Sequence, residues 1–134
     1  MTTTRPDSRT RLAGGLLLWY GVLGGAVAWA AHLLAAWSLD ELACARGSAS
    51  IAALPLWQAL GLAVVIPGLV TVGALLVAVL AWRHTAAAQA SGTTGRAYDR
   101  SRMLAVLGVW ANLMFLAIIV LGGIAVLVFP PCQR

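Results

Sequence analysis

Residues 12–39, 47–82 and 103–133 contain no Asp, Glu, Lys or Arg, and together they fill most of a 134-residue chain. A helix crosses about 30 Å of hydrocarbon with roughly 20 apolar residues, so each stretch can hold one crossing. The chain is 61% hydrophobic and 10% charged, against about 25% charged in soluble domains. That balance excludes a water-soluble core inside a solvated shell. The expected fold is an all-α integral membrane protein, a three-transmembrane-helix bundle forming one domain over residues 12–134. Its helices are expected near 12–39, 55–83 and 101–129, preceded by a disordered cytoplasmic tail at 1–11.

All nine basic residues are Arg, which suits the codon usage of a GC-rich genome, and most flank the apolar runs. Arg5, Arg9 and Arg11 precede the first run, and Arg83, Arg96, Arg100 and Arg102 lie between the second and third. Arg46 and Arg134 alone fall on the other side, a ratio of seven to two. Basic residues collect on the cytoplasmic side, so the N-terminus is expected inside and the C-terminus outside a bacterial cytoplasmic membrane. The first run is longer than the 7–15 residues of a signal-peptide core, and Ala43-Cys44-Ala45 is a poor cleavage site.

Trp19 and Trp37 are 18 residues apart, or about 27 Å of helix, which suits two aromatic belts. Pro55 is placed to open the second helix. Pro67 near its middle removes one backbone donor and predicts a kink, read as a packing bend or as a hinge. Pro130-Pro131 stops the third helix.

His32 is the most informative single residue, about 6 Å from the midpoint between the belts. Ionisable groups at such depth face protein or a water cavity and mark functional sites. Gly21, Gly25, Ala28, His32 and Ala35 fall on one helical stripe, a small-residue groove that admits another backbone. His32 is read as a neutral side chain bonded to a neighbouring carbonyl or a partner subunit, or as a haem or metal ligand, or as a proton relay. A haem would need a second ligand from another chain or another copy of His32. Asn112 lies on the opposite half of the membrane, about 12 Å from His32 in depth. The two cannot bond to each other, so each is expected to need its own partner, which points to an interface with another subunit. Thr71 is placed to bond the Pro67 carbonyl one turn back.

Cys44 and Cys132 follow the first and third runs. Two crossings separate them, so both fall on one side, expected to be outside, where disulfides persist. A structural disulfide is the favoured reading; metal binding and thiol exchange are the alternatives. No carboxylate pair, Ser/His/Asp set or catalytic motif occurs in the apolar runs, so no enzyme activity is expected.

The segment GVLGGAVAWAAHLLAAWSLDELAC at 21–44 resembles small bacterial membrane proteins found with haem–copper cytochrome c oxidase systems. The resemblance is carried by Gly24, Ala28-Trp29, His32-Leu33 and Cys44, with a second cysteine at 132. Gly25 and Trp37 stand where that pattern carries proline and tyrosine. The resemblance implies a non-catalytic accessory subunit or assembly factor of a respiratory membrane complex, a cytochrome c oxidase, and no catalytic residue. The expected partners are other membrane subunits or further copies of the chain, and no cofactor is expected. The alternatives are a haem protein using His32 and a small transporter or channel subunit.

Overall fold

The computed structural model describes residues 8–47, 50–51, 54–92 and 95–129. Three helices, α1 (Ser8–Arg46), α2 (Leu56–Ala90) and α3 (Arg96–Val128), pack pairwise against one another. A short antiparallel ribbon, β1 (Ser50–Ile51) and β2 (Leu54–Pro55), joins α1 to α2 with Ser50 opposite Pro55. All three helices are long and apolar enough to cross a membrane.

Each helix outruns the apolar stretch that predicts it. α1 starts at Ser8, inside the expected tail, and continues through Asp40 and Glu41 to Arg46. α2 passes Arg83 to reach Ala90, and α3 already begins at Arg96. Charge marks where hydrocarbon ends, whereas a helix persists in water while Ala, Leu, Glu and Arg favour it. At 39, 35 and 33 residues, the helices measure about 50–58 Å.

Backbone geometry sets the true stops. Gly47 follows α1 with φ 58° and Gly92 follows α2 with φ 80°, the left-handed conformation in which glycine ends a helix. α3 gives way at Phe129, which is extended at φ −98°, ψ 119°. Phe129 precedes Pro130, and a residue before proline is driven out of the helical region. α2 runs unbroken through Pro67.

The interior is built from small residues. Ala28, Ala74, Ala78 and Ala105 are buried, as are Gly21, Gly24, Gly25 and Gly108. A side chain added at Gly108 would come within 2.7 Å of the Gly21 carbonyl oxygen, so α1 and α3 nearly touch there. One added at Gly21 would lie 3.3 Å from the Ala78 nitrogen of α2. Gly21 is therefore the point where all three backbones converge. Between helices in hydrocarbon, close van der Waals packing replaces the hydrophobic drive available in water. Trp19, Trp37, Trp57 and Trp82, in contrast, are on the exposed surface.

Gly108→Ala should therefore destabilise the bundle by about 1–3 kcal/mol, the range for overpacking a filled core. Gly61→Ala, where a side chain meets nothing within 4 Å, should be neutral or mildly stabilising. Unfolding of the two variants in detergent, compared with the parent chain, measures the contrast.

Candidate functional site

The polar groups of the interior form a series of pins between helices. Asn112 of α3 is fully buried. Its Oδ1 accepts the Gly25 N–H at 2.9 Å, while Nδ2 donates to the Gly21 carbonyl at 2.6 Å. Nδ2 also donates to the Gly108 carbonyl of its own helix at 2.7 Å. Gly21 and Gly25 are four residues apart on α1, so their C=O and N–H belong to one rung of the helical ladder. The amide matches that rung with a donor facing the acceptor and an acceptor facing the donor. Glycine is required at 25, where a side chain would collide with Asn112 Oδ1, and an added side chain at 21 would press on Ala78 and Val77 of α2.

Farther along α1, His32 is 5% exposed, with Nδ1 2.8 Å from the Ala63 carbonyl of α2. A carbonyl only accepts, so Nδ1 carries a proton, which in a neutral imidazole leaves the lone pair on Nε2. Ala63 is four residues before Pro67, and proline has no N–H to give it. His32 thus supplies from α1 the hydrogen bond that Pro67 removes from α2. Thr71 Oγ1 donates to the Pro67 carbonyl at 2.9 Å, closing the turn below. His32 Nε2 lies 3.1 Å from where a side chain on Gly122 would begin.

Two further contacts support this arrangement. Tyr20 donates from its hydroxyl to the Val70 carbonyl at 2.8 Å, and Gly73 leaves the space for its ring end. Trp29 packs against Phe115, with ring centroids 5.6 Å apart.

The stripe read from the sequence coincides with the buried face of α1: Gly21, Gly25, Ala28 and His32 are buried and Ala35 is half-buried. Asn112 meets the Gly21–Gly25 end of that stripe and His32 the other end, and both find partners within this chain. A neighbouring carbonyl was one of the partners expected for His32; what the sequence reading missed is which carbonyl it is, and that Asn112 also meets backbone groups of this chain. The usable signals were the four-residue spacing of the two glycines and the carbonyl orphaned by Pro67.

Cys44 lies half-buried in the last turn of α1, its Sγ 3.9 Å from Asp40 Oδ1. Cys132 lies outside the described residues. Among the described residues there is no free cysteine. At the same end of the bundle, Ala43, Leu56 and Leu60 form a buried apolar cluster to which Leu39 and Val126 add. That cluster joins the end of α1 to the end of α3. Among the described residues no group of three His, Cys, Asp or Glu side chains could hold a metal ion.

Comparison with family models, curated proteins and solved structures finds no match.

Two predictions follow from the pins. Asn112→Asp keeps the shape but loses both donated bonds and places a charge in a buried site, so it should destabilise the fold more than Asn112→Ala does. Thermal unfolding of the two variants in detergent gives the order. For His32 the expectation is non-additivity. Pro67→Ala restores an N–H for the Ala63 carbonyl, so His32→Leu should cost less in that background by about 0.6–1.7 kcal/mol, the span of interhelical hydrogen bonds in membranes. A double-mutant cycle reads the coupling directly.

Proposed function

We propose that this chain is a non-catalytic accessory subunit or assembly factor of a respiratory membrane complex, with a cytochrome c oxidase as the candidate. In this reading it spans a bacterial cytoplasmic membrane three times, with its N-terminus inside and its C-terminus outside. The observation that carries the scaffold role is the engagement of the deep polar side chains. His32 and Asn112 hold the chain's own helices together, and Thr71 bonds within α2, which makes an apolar unit suited to packing beside a larger assembly. The link to an oxidase rests on the resemblance at residues 21–44, and the orientation on the seven-to-two distribution of Arg.

We further propose that Cys44 is bridged to Cys132. Val126 already packs on the cluster beside Cys44. The six residues from Val126 to Cys132 reach at most about 20 Å when extended, enough to return the second sulfur to the first.

One observation favours haem as a second reading. With Nδ1–H held by a carbonyl, His32 Nε2 is the lone-pair nitrogen, as in histidines that bind metals.

Affinity purification from native membranes tests the lead reading: oxidase subunits should accompany the chain, and deleting the chain should lower assembled oxidase. A chain that elutes alone, with oxidase unchanged in the deletion strain, rejects it. A Soret band lost on His32→Ala would replace it with the haem reading. Peptide mapping without reductant should recover a Cys44–Cys132 cross-linked pair, and two alkylatable thiols would refute the bridge. A periplasm-active reporter fused to the C-terminus should be active; activity of a cytoplasmic reporter there would invert the orientation.

A further inference from the structure

A groove of about 620 Å³ runs between the first turns of α2 and the last turns of α3. Leu56, Trp57 and Val126 form its mouth, and Val65 and Val120 lie at its inner end. Every described residue lining it is apolar. Its floor closes where Gly123 lets Val64 approach: a side chain on Gly123 would lie 2.8 Å from a Val64 methyl. Its wall stays open at Gly61, where an added side chain meets nothing within 4 Å.

Depth identifies the occupant. Leu56 to Val65 is nine residues, about 14 Å of helix, or roughly half of a 30 Å hydrocarbon layer. The groove therefore begins at one membrane face, beside the 70% exposed ring of Trp57, and ends near the middle. A transmembrane partner helix needs a seam along its full length and is about 10 Å wide. A lipid chain enters at the headgroup level and ends at mid-bilayer, as this groove does. At about 30 Å³ per water-sized unit, taken as the size of a methylene, the space holds about 20 carbons. With no polar atom required of its occupant, the groove selects against headgroups and hydrogen-bonding ligands.

We propose that this groove is a binding site for one acyl chain of a membrane phospholipid, held with its headgroup beside Trp57. The site rests on the membrane insertion proposed above and on no part of the oxidase assignment. Gly61 is the specificity-determining position, because its missing side chain keeps the channel open.

Native mass spectrometry of the full chain in mild detergent tests this, with delipidated protein then titrated with dioleoylphosphatidylethanolamine. The wild-type chain should retain one phospholipid and rebind one after delipidation. Gly61→Phe and Ile124→Trp, which fill the groove from either wall, should lose it. Gly15→Phe, at an equally open position on α1, should keep it. Circular dichroism reports whether each variant folds, and either groove variant alone suffices. No retained or rebound phospholipid in the wild-type chain overturns the site, as does equal retention in folded groove variants. A second protein chain or an isoprenoid displaced by Gly61→Phe also overturns it. A chain that is monomeric in buffer without detergent would reject insertion itself, a separate failure.

Discussion

The side-chain amide of Asn112, laid across one rung of the α1 backbone, is the contact on which the bundle depends. It works because Gly21 and Gly25 leave that rung bare and because Gly108 lets α3 come close enough to reach it. The requirement is strict: hydrocarbon offers no substitute partner for a buried amide, and an unsatisfied polar group there costs several kcal/mol. Many rungs of α1 present the same pair of groups, yet this one lies on a face of two glycines facing Asn112. The bare face, more than the hydrogen bonds, sets the register between α1 and α3. Since Gly21 also abuts Ala78, the same close approach locates α2.

A single pin would still let the helices swivel. The second, His32 on the Ala63 carbonyl, lies about 14 Å farther along α1 and joins it to α2 rather than to α3. Two pins at different depths and to different partners restrict both the crossing angles and the rotation of α1. The Pro67 notch is then a receptor for a histidine within an unbroken helix. One turn on, Thr71 adds a side-chain bond within α2, to the carbonyl of Pro67 itself. Such mutual satisfaction is how proline is accommodated in membrane helices generally.

Polar atoms inside and apolar side chains outside invert the arrangement of a soluble protein. The exposed surface is dominated by Leu, Val, Ile and Trp, and the arginines of the three helices lie toward the helix ends. A fold of this kind has its chemistry turned inward and its contacts with the surroundings made by shape. That is consistent with the accessory role proposed above, and with a groove whose size and depth, rather than its polarity, select what it holds.

Hydropathy alone marked the three helices long and apolar enough to cross a membrane, because the expense of placing charge in hydrocarbon leaves unmistakable uncharged runs. The helical stripe from Gly21 to His32 was equally legible, since small residues at steps of three and four must share a face. The end of α3 was legible from Pro130-Pro131, but the ends of α1 and α2 were not, because they depend on backbone conformation at Gly47 and Gly92 rather than on where charge begins. Nor were the partners of the deep polar residues. Sequence displays side chains, and a search among them left Asn112 without an evident mate inside the chain and His32 with only an unspecified neighbouring carbonyl. Their mates are backbone groups, present at every position and therefore silent in sequence, made available only where two glycines bare a helix and a proline withholds its donor. Which carbonyl meets which side chain was decided by the packing of the three helices.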